Sequence, residues 1–195
     1  MKKVLLFFAL TQAGFGEIKT GTKVPDFQLA TNDGKNFKLS EAKGKWVVLE
    51  WYNKDCPFVR KHYDSNNMQT LQKTYKDKGV LWYSVISSKE KKQGHLTAQE
   101  ATDQLKKEGS HAQAFLLDKD GSLGKTMSAK TTPHIFIINP EGSLIYQGAI
   151  DDIPSSNTAD IAKAKNFVKT NLDLALNGKS VEIGETKAYG CSVKY

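Results

Sequence analysis

Cysteine is scarce in this chain: Cys56 and Cys191 are its whole complement. Two thiols cannot build a four-cysteine zinc site or a multi-disulfide scaffold. Arginine is scarcer still, with Arg60 alone among scattered lysines that carry the formal charge to +7. Arginine is the side chain that grips phosphate and guanine in bidentate fashion. A basic chain with one of them reads as a lysine-dressed surface, which argues against a nucleic-acid partner. No internal repeat, low-complexity tract or Pro/Ser-rich linker divides the sequence. The longest apolar run, Val4–Leu10, is far too short to span a bilayer. What is present is an ordinary globular composition, 39% hydrophobic and 25% charged over 195 residues, enough for one domain with a proper core.

That short run has a specific meaning where it stands. Lys2 and Lys3 precede it, and the small residues Ala13, Gly14 and Gly16 follow it. A positive start, a minimal apolar stretch and small residues are the marks of a secretory signal peptide. Residues 1–16 are therefore expected to be removed. The mature chain is then exported, to the periplasm in a bacterium, with no stable membrane insertion. Export places the two cysteines where a disulfide can persist.

From Thr22 onward the patterning is regular. Phe27–Thr31 and Phe37–Leu39 read as short strands around the turn Asn32–Lys35. Trp46–Trp51 and Val80–Ile86 are near-continuous apolar runs, as in strands buried on both faces. Between them Val59, Tyr63, Met68, Leu71 and Tyr75 keep a helical spacing, with a break or bend expected at Asp64–Asn67. Thr97 and Glu100 form a capping box that opens a helix to about Glu108. Ala114–Leu117 is a third strand, and Ser122–Ala129 suits a short helix. His134–Ile138 and Leu144–Gln147 form a hairpin, and a last helix is expected from about Ile161 to Leu176. The tail, Lys179–Tyr195, reads as irregular and flexible. This order predicts a single α/β domain, a mixed sheet with helices on both faces.

Cys56 lies between a buried strand and a helix opened by Pro57. A cysteine at a helix N-terminus faces unpaired N–H groups and the positive end of the helix dipole, and both favour thiolate. Thiolate is the reactive form towards peroxides, disulfides and soft metals. A small, buried, inert cysteine is the plain alternative. Thr132–Pro133, directly before a buried strand, suits a cis peptide beside the cysteine's helix tip, or else a trans proline that starts an edge strand. His62 and His134 are weak candidates to join Cys56 in a copper or zinc site, although their spacing matches no recognised metal pattern. No cofactor is expected.

Val24–Tyr63, with its Cys56-Pro57-Phe58-Val59, Thr131–Pro154, with its Thr-Thr-Pro-His, and the ending Gly190–Tyr195 together resemble the thioredoxin-fold redoxins of the alkyl hydroperoxide reductase/thiol-specific antioxidant superfamily. Within it they resemble a peroxiredoxin-like subgroup. The resemblance runs from about Gly21 to Tyr195. It implies a thioredoxin-like fold, with a central mixed sheet flanked by helices, an N-terminal β-hairpin extension and an irregular tail. The implied limits are 1–16 for the signal peptide, 17–178 for the redoxin domain and 179–195 for the tail carrying Cys191. It also implies catalysis by Cys56 with Cys191 as resolving partner, supported by Asn53, Pro57, Arg60, Thr132 and Pro133. The substrate would be a peroxide or a disulfide, and the donor an external, thioredoxin-like thiol reductant.

The departures from the family pattern are as informative. The position three residues after Cys56, where thioredoxins carry their second cysteine, holds Val59. The Pro and Thr of the usual peroxiredoxin motif are replaced by Leu49 and Asn53. Arg60 is the only arginine available to sit beside the thiolate, and it can equally point to solvent. Efficient peroxide reduction is thereby in doubt. Two other readings remain: a non-enzymatic redoxin-like binding module with a structural disulfide, and a Cys/His metal-binding protein.

Overall fold

The computed structural model describes residues 17–195; the expected signal segment lies outside the described residues. Strands β1 (Gln28–Ala30) and β2 (Asn36–Lys38) form a small antiparallel hairpin. Strand β3 (Val47–Trp51) leads into α1 (Pro57–Asp64) and α2 (Asn67–Lys76). These are followed by β4 (Leu81–Ile86), α3 (Ala98–Lys107), β5 (Ala114–Leu117) and α4 (Ser122–Thr126). Next come β6 (Thr131–Thr132), β7 (His134–Ile138), β8 (Leu144–Gly148), α5 (Phe167–Leu176) and β9 (Cys191–Ser192). The central sheet has the order β5-β4-β3-β7-β8, with β3, β4 and β5 parallel and β7 antiparallel to both neighbours. This is a thioredoxin-like α/β fold.

Every residue of β3, β5 and β7 is buried. Alternation along β3 divides two apolar layers, as a period of two requires. Val48 meets Val59, Tyr63, Met68 and Tyr75 of α1 and α2, with Val168 and Leu172 of α5. Val47, Leu49 and Trp51 face the other way, towards Phe37, Leu39, Leu123 and Met127. Helices thus cover both faces.

Two local breaks shape the helices. Asn66 has φ 56°, a left-handed conformation that an asparagine accepts, and it ends α1 and reorients α2 at the bend expected there. The Thr97–Glu100 capping box is complete, with both reciprocal hydrogen bonds. The last helix departs from expectation. Ile161 lies in a separate 3₁₀ turn, Thr158–Ala162, and α5 begins only after Asn166, whose side chain accepts the Lys169 N–H. A cap that satisfies an orphan N–H starts the helix there and not at Ile161. The tail is irregular over most of 179–195, as expected, and contains one short strand: Cys191–Ser192 pairs antiparallel with Thr131–Thr132. Among the described residues no helix is long and apolar enough to cross a membrane.

Candidate active site

The loop after β3 is built around Asn53, which is almost fully buried. Its side-chain oxygen accepts the Asp55 N–H at 2.9 Å and its carbonyl accepts the Cys56 N–H at 3.1 Å. Such an Asx turn tightens the chain just before a helix. Cys56 is the N-cap residue of α1 and Pro57 the first helical residue. Proline at that position sacrifices no hydrogen bond.

Opposite Cys56 lies the Thr132–Pro133 peptide, which is cis. The Cys56 thiol donates to the Thr132 carbonyl at 2.9 Å. In the short β6–β9 ladder Thr132 stands opposite Cys191. The two cysteines, 135 positions apart in the chain, thereby come close enough for each to perturb the other's titration. Both are free cysteines in this structure.

The two sulfurs sit in unequal surroundings. Burial pushes the Cys56 thiol up. Hydrogen bonds from the Cys191 thiol, the Thr132 side chain and the N–H groups of Cys191 and Val59 more than offset it, and the net direction is down. The Thr132 carbonyl opposes this, because it accepts only from the protonated form. Cys191 moves the other way, to about 11, through burial, its hydrogen bond to Cys56 and repulsion by the Cys56 charge. Of the two sulfurs, Cys56 is therefore the one that gives up its proton more readily.

The tail is held in place at several points. The Tyr189 hydroxyl donates to Asp151, whose carboxylate also accepts from Lys61 at 2.9 Å; Lys61 and Asp151 are both buried. The Tyr189 ring lies edge-on to Phe58, with centroids 5.8 Å apart. Gly190 has φ +142°, and a Cβ there would overlap the Thr132 carbonyl oxygen, so only glycine lets the tail approach so closely. Beyond Cys191, the Val193 N–H donates to Lys130 O at 3.1 Å. The Tyr195 hydroxyl donates to Ala129 O at 2.7 Å, with its ring against Gly121 and Gly124.

Three expected participants are placed elsewhere. The Arg60 guanidinium forms ion pairs with Glu108 and Asp64, so its donors are committed along α1 and across to the end of α3, away from the role beside the thiolate. The i, i+4 spacing to Asp64 and the buried carboxylate of Glu108 account for this orientation. His62 is buried with its Nδ1 on Asn67 and its Nε2 without a hydrogen-bond partner, 3.9 Å from Asp151. His134 faces the Lys130 N–H and stacks on Phe136. Burial lowers both histidines to about 4, so both are neutral. Among the described residues no group of three His, Cys, Asp or Glu side chains gathers as a metal site.

Comparison with known proteins supplies the family. Residues 19–168 match the Redoxin family model. The chain belongs to the Redoxin family. It is 29% identical over 133 residues to the thiol-disulfide oxidoreductase ResA of Bacillus subtilis, an alignment covering 68% of this chain and 69% of that one. Peroxiredoxin Bcp of the same organism is 31% identical over 136 residues, with 55% of this chain and 83% of that one covered. Among solved structures, a hypothetical protein from Sinorhizobium meliloti aligns with a TM-score of 0.76 at 24% identity, over 92% of this chain and 96% of the other. At that identity the last likeness speaks for the fold alone.

The redoxin holds one chemistry-bearing group that the sequence reading passed over. Glu50 interrupts the apolar run of β3 and is fully buried. Its carboxyl accepts hydrogen bonds from Tyr63 at 3.0 Å, Trp82 Nε1 at 3.0 Å, Gln72 at 3.3 Å and Ser84 at 3.3 Å. Burial raises it to about 7 even against these four donors. The available signal was a charged residue within a strand otherwise apolar from Trp46 to Trp51. The Lys61–Asp151–Tyr189 cluster carried no such local signal.

Proposed function

We propose that this redoxin is an exported thiol-dependent oxidoreductase whose Cys56 and Cys191 cycle between dithiol and disulfide. The observation that carries the proposal is the seating of Cys191 beside Cys56 by the β6–β9 ladder, through Thr132, which stands opposite the one and accepts from the other. In the oxidising direction the pair loses two electrons and two protons to an acceptor and gains the S–S bond. An external thiol donor returns both. Similarity to ResA supports a disulfide as the substrate class. The commitment of Arg60 to Glu108 and Asp64, with Leu49 and Asn53 where the peroxiredoxin motif has Pro and Thr, weighs against a peroxide. Export rests on the signal-like residues 1–16, with the bacterial periplasm as the site of action and residues 17–178 and 179–195 as the working domain and its tail.

The test treats reduced protein with one equivalent of oxidised glutathione or of hydrogen peroxide and follows loss of both thiols by alkylation and mass mapping. A Cys56–Cys191 disulfide that forms readily with glutathione disulfide and reverts under mild thiol is expected. Failure of the two cysteines to join with either oxidant would sink the proposal. A bond that resists mild thiol would favour the structural-disulfide reading.

A further inference from the structure

We infer that a thiol partner reaches the oxidised pair through Cys191, so that its covalent bond to this protein is made at the tail sulfur and not at Cys56. The inference rests on the dithiol–disulfide cycle proposed above and adds which sulfur faces the partner.

The argument starts from access. Cys56 has 0% of its surface exposed and belongs to the apolar core cluster on the helical side of the sheet. Thr132 flanks it, α1 begins beneath it, and the tail lies over it, with Gly190 so close to Thr132 that no side chain fits between. Cys191 lies in that covering strand and remains partly exposed.

Thiol–disulfide exchange displaces one sulfur along the line of the bond being broken, and its rate depends on which sulfur can be approached. An attack on Cys56 must come from the side opposite Cys191, and that side is the packed core. An attack on Cys191 meets the one sulfur-bearing residue of the two that keeps surface open to solvent.

The leaving group points the same way. When an external thiolate bonds to Cys191 Sγ, the Cys56–Cys191 bond breaks and its electron pair goes to Cys56. That sulfur then lies among the N–H groups of Val59 and Cys191, which stabilise the charge. A sulfur that leaves as a stabilised thiolate leaves faster. A second donor thiolate next attacks the donor sulfur of the mixed disulfide. The donor disulfide departs, and Cys191 is released as a thiolate that takes up a proton. Two donor thiols are oxidised and the pair is reduced. In this scheme Cys56 serves as the internal electron acceptor, and the tail strand need not lift for a partner to bind.

The experiment uses the oxidised full chain with glutathione as the donor, quenched in acid at short times and mapped for the glutathione adduct. An adduct on Cys191 in about tenfold or greater excess over Cys56 is expected, the ratio that a difference of ~1.4 kcal/mol in access gives. An adduct mainly on Cys56 overturns the inference and leaves the dithiol–disulfide cycle intact. If no Cys56–Cys191 disulfide forms in the first place, the proposed function and this inference fall together. Should the adduct turn over too fast to trap, the oxidised chain is opened by glutathione with excess alkylating agent present, and the alkylated sulfur is mapped. Alkylation of Cys56 with glutathione on Cys191 supports the inference, and the reverse pattern refutes it.

Discussion

Replacing Glu50 by Gln should change how stability depends on pH. The carboxyl is raised from 4.5 to about 7 in the folded chain, with burial as the leading cause. Below pH 4.5 the group is protonated in both folded and unfolded chains, and its environment costs nothing extra. As the pH rises from 4.5 to 7 the unfolded chain releases the proton and the folded chain retains it, so stability falls. The difference of about 2.5 units corresponds to ~3 kcal/mol at 1.36 kcal/mol per unit. Above pH 7 the folded form ionises too, and the loss stops growing. Glutamine fits the site: its oxygen can accept from Trp82, Ser84 and Gln72, and its amide can donate to the Tyr63 oxygen once that hydroxyl turns. Urea unfolding of both proteins at intervals from pH 4.5 to 8 measures the effect. The stability of Glu50→Gln relative to wild type should rise by ~3 kcal/mol across the interval and then level off. A difference that stays flat with pH, or that falls, would refute the assignment of a buried, proton-holding carboxyl.

Three further outcomes are expected. Gly190→Ala should unseat the tail, because its Cβ would meet the Thr132 carbonyl at a backbone angle that alanine disfavours; Cys56 alkylation should then accelerate by roughly tenfold or more, for an opening made easier by ~1.4 kcal/mol. Arg60→Ala should lower stability by about 1–2 kcal/mol, since it leaves the buried Glu108 carboxylate without its ion pair, while disulfide exchange stays within about twofold of wild type; a collapse of exchange in a folded variant would return Arg60 to the active site. Tyr189→Phe should cost about 1 kcal/mol in thermal or urea unfolding, because it removes one hydrogen bond to the buried Asp151, and an unchanged midpoint would show that the phenol does not hold the tail.

The parts of the molecule legible in the sequence are those governed by near neighbours. Trp46–Trp51, Val80–Ile86 and His134–Ile138 announced strands because a fully buried strand must be apolar along its whole length. Cys56 before Pro57 announced a helix tip because proline is tolerated there. The positions that misled depend on distant partners. Ile161 fits a helical stripe, yet Asn166 starts the helix by capping Lys169. Arg60 sits one turn from Cys56, and only the fold reveals Glu108 waiting at the end of another helix. Lys61, Asp151 and Tyr189 are three ordinary residues until the sheet brings them together, so nothing local distinguished the tail from a loose end. Glu50 was the exception, visible as a charge in an apolar strand and overlooked because the strand pattern was already complete without it.

The second sulfur rides on a two-stranded sheet that shares no strand with the five-stranded one. The machinery is therefore modular: β3, α1 and the Thr132–Pro133 turn set Cys56 at its helix tip, while the partner sulfur, and part of the hydrogen bonding that lowers Cys56, arrive on a strand two residues long. Rewriting that strand at Cys191 would exchange a two-cysteine device for a one-cysteine device with the five-stranded sheet left as it is, so a lineage built on this scaffold can alter its redox partnership by editing one short segment.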